Sequence, residues 1–169
     1  RLWLDRSIVL AYAIAAGLSV VAFTLLAEWS FAQFERVFHW QGGWAVLVWT
    51  PAWTAAIVWA TQRFTPGAAG SGIPQVMAAL EPALDNTQRS RFVSLRLTLA
   101  KIVLGGAGFL AGLSIGREGP SVQVAAGVMH HARRWLGPQS SITGSGLLIA
   151  GGAAGIAAAF NAPLAGVVF

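Results

Sequence analysis

The stretch "GREGPSVQ" at residues 116–123 interrupts the most apolar part of this chain. It follows "LTLAKIVLGGAGFLAGLSI" and precedes "VAAGVM", so an arginine, a glutamate and a proline lie inside an otherwise membrane-like run. An ionisable residue at membrane depth is costly and points to function, and proline favours the first turn of a helix. The stretch therefore predicts a helix that begins inside the membrane with Glu118 near its start.

The composition excludes an ordinary soluble domain. Of the 169 residues, 56% are hydrophobic and only 10% are charged, whereas soluble domains carry about 25% charged residues. The net charge of +5 comes from basic residues scattered along the chain, a pattern that fits membrane topology better than nucleic-acid binding. There is no cysteine, hence no disulfide or thiolate metal site. We expect an integral membrane protein in a lipid bilayer, with no metal, no cofactor and no nucleic-acid partner.

The apolar runs predict an all-α protein with several tilted and broken transmembrane helices. Pro51 should kink the second of them, since proline removes a helix hydrogen bond. The predicted elements are a first span at 7–34, a polar link at 35–43, a second span at 44–61, a break at 62–75, a half-length segment at 76–86, and helices at 91–113, 120–135 and, broken, 143–169.

Basic residues predict the orientation of these spans. Arg1 and Arg6 precede the first span, and Arg63, Arg89 and Arg91 follow the second. The positive-inside rule then places the N-terminus and residues 62–91 in the cytoplasm.

Glycine spacing predicts close helix packing. Gly108, Gly112 and Gly116 repeat every four residues, as do Gly151 and Gly155. On a helix this spacing places the glycines on one face, where backbones approach each other closely.

Three short motifs break the apolar sequence, and each carries a proline: "GSGIP" at 70–74, "GREGP" at 116–120 and "NAP" at 161–163. A helix start exposes unpaired N–H groups and a partial positive charge, which bind anions. Irregular backbone at membrane depth is tolerated only where it is buried or lines a cavity. The helix-breaking residues are Pro74, Pro120, Asn161 and Pro163, and Ser71 adds a hydroxyl donor. Taken singly, "GSGIP" also fits a tight interhelical loop, and "NAP" a helix kink.

Glu118 and Lys101 are the ionisable residues that most need an explanation. Glu118 is either functional or part of a structural ion pair with Arg117 or Lys101. Lys101 lies about 15 Å of helix beyond Arg91. It either makes the interior positive or hydrogen-bonds to backbone carbonyls, and the sequence leaves Arg117 without a firm partner.

Taken together, the three motifs, in this order and spacing, resemble the chloride channel and transporter (CLC) family. The last of them extends to "GGAAGIAAAFNAPLAGVVF" at 151–169. The resemblance implies a fold of two inverted repeats, with residues 1–169 forming the N-terminal portion of one transmembrane transport domain. It also implies a homodimer with one anion pathway in each subunit. We expect the second repeat to follow Phe169.

The resemblance also implies roles for site residues. Ser71 would donate its hydroxyl to a central chloride, and Gly72 and Ile73 would belong to the same chloride-binding site. Backbone amides around Gly116, Arg117, Glu118 and Gly119 would hold an outer anion. Lys101, from its position in the sequence and not from the resemblance, is a candidate for electrostatic support. Glu118 would be the gate: ionised, its carboxylate occupies the anion site; protonated, it swings out and can carry a proton.

The expected function is proton-coupled chloride exchange in a bacterial inner membrane. The alternative is a passive voltage- or pH-gated chloride channel of the same family, and chloride is not distinguished from nitrate. Two other classes are weaker: a structural membrane subunit, and an intramembrane enzyme using Glu118 with His130 and His131. On a helix these histidines lie about 18 Å from Glu118, too far for one site, so no catalytic residue is expected.

Overall fold

The fold is all-helical, as the sequence predicts. A computed structural model describes residues 2–137 and 140–168, and within these residues it contains no strand. The α-helices of the described residues are α1 (Leu2–His39), α2 (Val46–Phe64), α3 (Ile73–Ala79), α4 (Asn86–Arg89), α5 (Leu95–Leu110), α6 (Glu118–His131), α7 (Gly144–Ala159) and α8 (Pro163–Val168).

Helix α1 is apolar on two opposite faces. Its buried face carries small and aromatic side chains at helical spacing and packs against α5, α6 and α7; these residues are Ala16, Val20, Phe23, Ala27 and Ser30. The opposite face exposes Leu10, Ile14, Leu18, Val21 and Leu25. A helix that is hydrophobic all round suits a membrane span, where one face meets protein and the other meets lipid.

The described helices differ in their capacity to cross a membrane alone. By length and composition, only the 37-residue segment Trp3–His39 is long and apolar enough among the described residues. Gly144–Ala159 is apolar but shorter. Helix α2, the predicted second span, has 19 residues with Pro51 inside it and no buried residue, but does not pass the same test.

Helix α6 is the centre of the fold. Almost every side chain from Gly119 to Met129 is buried, between α1, α5 and α7. Gly151 and Gly155 of α7 face it: a Cβ on Gly151 would lie 2.6 Å from the Cα of Ala126. The predicted glycine face on this helix is therefore confirmed, and it lets the two backbones touch.

We predict that Gly155→Ala destabilises the protein. The new Cβ would lie 2.7 Å from the Cα of Val122 and 2.8 Å from the Ser121 carbonyl oxygen, so the backbones must separate. Such overpacking costs roughly 1–3 kcal/mol. The thermal unfolding midpoint of the purified protein should fall. The control is Gly17→Ala, whose Cβ would meet nothing within 4 Å; an equal loss there would contradict the packing argument.

The other predicted glycine face is wrong. Helix α5 ends at Leu110, and Gly112 lies beyond it with φ +80°, a left-handed conformation that stops the helix. Gly116 lies in the loop that leads to α6. Spacing by four does not reveal whether a helix continues. The predicted helix 91–113 is accordingly shorter, with Ser94 as its N-cap: the Ser94 hydroxyl accepts a hydrogen bond from the Leu97 N–H.

Two other helix boundaries differ from those predicted from the sequence. The polar link at 35–43 is helical: α1 continues to His39 and a 3₁₀ turn covers Trp40–Gly43. Helix α6 begins at Glu118 and not at Pro120, because proline is tolerated anywhere in the first turn, where N–H groups have no partner.

The three predicted breaks are present. Helix α3 starts with Pro74 as its second residue and α8 starts at Pro163. Asn161 has φ +49° between α7 and α8, so "NAP" ends one helix and begins another and does not merely kink one.

Candidate functional site

The start of α6 presents a run of unused hydrogen-bond donors. Within the described residues, the backbone N–H groups of Gly116, Arg117, Glu118 and Gly119 donate no hydrogen bond. The first turn of a helix leaves these donors free by its geometry, and the partial positive charge of a 14-residue helix adds to them. The arrangement is suited to an anion.

The loop before α3 touches the start of α6 through backbone. A Cβ on Gly119 would collide with the carbonyl group of Ser71, and a Cβ on Gly72 would lie 2.5 Å from the Gly119 carbonyl oxygen. Gly72 also has φ +109°. Both positions therefore require glycine, Gly72 for conformation and contact and Gly119 for contact alone. This contact brings the "GSGIP" and "GREGP" motifs together.

A cleft of about 550 Å³ lies where these motifs meet. Of the predicted site residues it is lined by Ser71, Ile73, Lys101, Gly116, Glu118, Gly119 and Pro120, together with residues such as Ile57, Thr61 and Leu104. The other predicted site residues do not line the cleft, although the structure describes them. They are Gly72, which is buried at the backbone contact, Pro74, Arg117, Asn161 and Pro163.

Glu118 is half-buried at the edge of the cleft, and its carboxylate folds back over Gly116. A Cβ on Gly116 would collide with the Glu118 Oε2 atom, so the glycine leaves room for this carboxylate. In the described part of the chain, no side-chain hydrogen bond or ion pair holds it. Of the two readings that the sequence left open for Glu118, the structural ion pair with Arg117 or Lys101 is not formed among the described residues.

Lys101 is buried, with 5% of its surface exposed, and lines the same cleft. Its Nζ donates to the carbonyl oxygens of Ala68, at 2.8 Å, and Gly70, at 2.6 Å. Of the two roles left open by the sequence, the structure shows the hydrogen bonds to carbonyls. They fix the loop that carries Ser71 to helix α5.

Arg117 has a partner that the sequence does not indicate. Its Nη1 lies 3.1 Å from the Glu28 Oε1 of α1, and both side chains are largely exposed, 43% and 61%. The pair joins the loop before α6 to α1 and turns the arginine away from Glu118.

We predict that Glu28→Gln lowers the free energy of unfolding only slightly. Exposed ion pairs contribute roughly 0–1 kcal/mol and are screened by salt. Denaturant unfolding at low and high salt should show a loss within that range that shrinks as salt rises. Glu35→Gln, an exposed change on the same helix, is the matched control. A loss of several kcal/mol for Glu28→Gln alone would show that the pair holds the loop.

Two glutamines support the site, although sequence reasoning gave them no role. Gln75 accepts a hydrogen bond from the Gly72 N–H at 2.9 Å and donates to the Ala69 carbonyl at 2.6 Å. Gln123, 1% exposed on α6, donates to the carbonyl of Phe92 at 2.8 Å. The signal was available: a buried amide in an apolar helix needs polar partners.

His130 and His131 lie in the last turn of α6, at the opposite end from Glu118. This placement agrees with the separation derived from the sequence. It leaves the glutamate and the histidines in different sites.

Comparison with known proteins shows the family of this chain. Residues 53–169 match the family described as "voltage gated chloride channel", and this range includes all three helix breaks. The chain belongs to this family. Relatives named "H(+)/Cl(-) exchange transporter ClcA" include those of Vibrio vulnificus, 40% identical over 130 residues, and Vibrio cholerae, 39% identical over 130 residues, each covering 70% of this chain. The relative of Citrobacter koseri is 38% identical over 132 residues and covers 74%.

This family member spans 26% of the length of those relatives. No solved structure matches the chain significantly. The family membership explains the order of the three motifs and the all-helical fold.

Proposed function

We propose that this chain forms part of a chloride transporter and that the start of α6 helps to bind the transported anion. The observation that carries the proposal is the run of unused N–H donors at Gly116, Arg117, Glu118 and Gly119 beside a shared cleft. The exposed Ser71 lines this cleft too and offers a hydroxyl donor. Because N–H dipoles carry only partial positive charges, they attract an anion weakly enough for it to leave again.

The buried Lys101 ammonium in the cleft is compatible with an anion site that releases its ion. A cation aimed at chloride would trap it, but this one donates to two carbonyl oxygens. We propose a monovalent anion such as chloride or nitrate, because the partial charges of N–H groups hold such an ion weakly enough to release it.

Glu118 is proposed as the gate. Its carboxylate is an anion placed within the first turn of α6, where it competes with chloride for the same partial positive charge. When the carboxylate takes up a proton, the competition ends and chloride enters. The proton then travels on the Glu118 carboxyl group and leaves when the carboxylate returns.

Proton coupling is favoured over a passive channel because the matched relatives are named exchange transporters. We also propose a multi-pass location in a bacterial inner membrane, with the N-terminus and residues 62–91 in the cytoplasm, and a homodimeric assembly. The alternative of an enzyme that uses Glu118 with His130 and His131 is not favoured, because among the described residues these histidines line a different cleft.

The test uses the full-length protein in liposomes with a chloride gradient and no initial proton gradient. We expect protons to move opposite to the chloride, building a pH difference. Chloride flux without proton movement would instead support the passive channel. The absence of both fluxes would contradict transport and leave the structural subunit.

A further inference from the structure

A second cleft, of about 520 Å³, lies at the other end of α6 and has no part in the proposed transport site. The C-terminal turn of α6, the start of α5 and the 3₁₀ turn after α6 form its walls. Its lining includes His130, His131, Arg133, Arg134, Ser90 and Ser94.

This cleft is strongly basic. Arg133 and Arg134 follow the two histidines after Ala132, and both line the cleft. Arginine keeps its positive charge in proteins. No acidic residue is among the described residues that line it. Cations at a helix C-terminus offset its partial negative charge, but that charge is only about half a unit, and the cluster exceeds it.

The start of α5 adds hydrogen-bond donors to the same cleft. Ser94 caps this 16-residue helix and satisfies the Leu97 N–H, while the N–H group of Leu95, which also lines the cleft, donates no hydrogen bond within the described residues. The Nδ1 atom of His130 is buried and without a hydrogen-bond partner in the described part of the chain. Free donors, a helix N-terminus and a basic cluster therefore surround one space.

The guanidinium groups of Arg133 and Arg134 differ in whether they are free to bind an anion. Arg133 is half-buried and donates to the Ile142 carbonyl at 3.1 Å. Arg134 is exposed and has no hydrogen bond or ion pair within the described residues. Arg134 is thus the residue best able to reach an anionic group at the mouth of the cleft.

We propose that this cleft binds the phosphodiester headgroup of an anionic phospholipid. Arginine and free N–H groups suit phosphate oxygens. The half-buried Leu95 lines the cleft, and the neighbouring Trp135 is 66% exposed, as expected for an aromatic residue at a membrane interface. The positive-inside rule predicts that residues 62–91, which include Ser90 of this cleft, lie on the cytoplasmic side, where anionic lipids attract basic segments.

The proposal commits to a lipid and not to free phosphate because accessible apolar side chains, Leu95 and Trp135, lie beside the basic cluster. A soluble anion needs only the donors, whereas a lipid headgroup also brings acyl chains that cover apolar surface. The site is independent of chloride transport, so a failure here leaves the function proposed above unaffected.

The test measures lipid binding to the purified full-length protein by native mass spectrometry. Phosphatidylglycerol should bind more tightly than phosphatidylcholine, and Arg134→Gln should weaken phosphatidylglycerol binding about fivefold, the value expected for one basic residue near a membrane surface. Arg134→Lys should keep most of the affinity. Arg63→Gln, an exposed change outside the cleft with the same loss of charge, should leave binding unchanged.

Several results would overturn the proposal. Equal binding of the two lipids removes the role of the negative charge. Equal weakening by Arg63→Gln and Arg134→Gln shows general attraction and no defined site. Displacement of phosphatidylglycerol by inorganic phosphate at matched concentration shows that the cleft takes a soluble anion.

Discussion

Glu118→Gln is expected to abolish proton movement in liposomes while chloride still flows. An amide cannot carry a proton, and, being neutral, it no longer competes with chloride for the start of α6. The side chain keeps its size, and no hydrogen bond or ion pair holds the carboxylate among the described residues, so the fold should persist. Proton flux should fall to the level of protein-free liposomes. The measurement is the external pH and chloride concentration recorded together.

The control for this experiment is Glu35→Gln, which makes the same chemical change at an exposed position of α1 outside the cleft. It should leave both fluxes at the wild-type level. Proton coupling that survived Glu118→Gln would assign the proton to another residue and remove Glu118 from its proposed role.

Gly72→Ala is expected to cause the largest loss of stability. Alanine must adopt φ +109° there, a strained conformation that costs roughly 1–3 kcal/mol. Its Cβ would also lie 2.5 Å from the Gly119 carbonyl oxygen, and forced separation in a packed core costs roughly another 1–3 kcal/mol. Denaturant unfolding should show the loss. Chloride flux should fall with it, since the contact joins the two motifs that form the cleft.

Gly43→Ala separates the two contributions. Gly43 has φ +86°, but a Cβ there would meet only the Phe38 carbonyl oxygen at 3.6 Å, an ordinary contact. This variant should show the backbone strain without the collision and keep its chloride flux. If both variants lose equal stability and flux, the Gly72–Gly119 contact is not what organises the site.

The sequence predicts the helix breaks because their causes are local. Pro74 and Pro163 occupy the first turn of α3 and α8, as proline in a helix start should. Pro120 lies in the first turn of α6, but the helix begins at Glu118, two residues earlier. Proline marks a first turn and does not select a position within it.

The sequence could not predict the contacts that cross the fold. The Arg117–Glu28 pair joins residues 89 apart in the chain, and no local pattern indicates it. The role of Gly119 depends on the Ser71 carbonyl, which only the packed structure brings close. The sequence left two roles open for Lys101, and the choice between a positive interior and carbonyl hydrogen bonds required the positions of Ala68 and Gly70.

The central claim is that the Glu118 carboxylate and chloride compete for the start of α6. Calorimetric titration of chloride into the purified full-length protein tests it directly, with wild type and Glu118→Gln compared at the same neutral pH. The account predicts tighter chloride binding by Glu118→Gln, because the neutral side chain leaves the N–H donors of residues 116–119 free. Equal or weaker binding by Glu118→Gln would show that the carboxylate does not occupy the anion site.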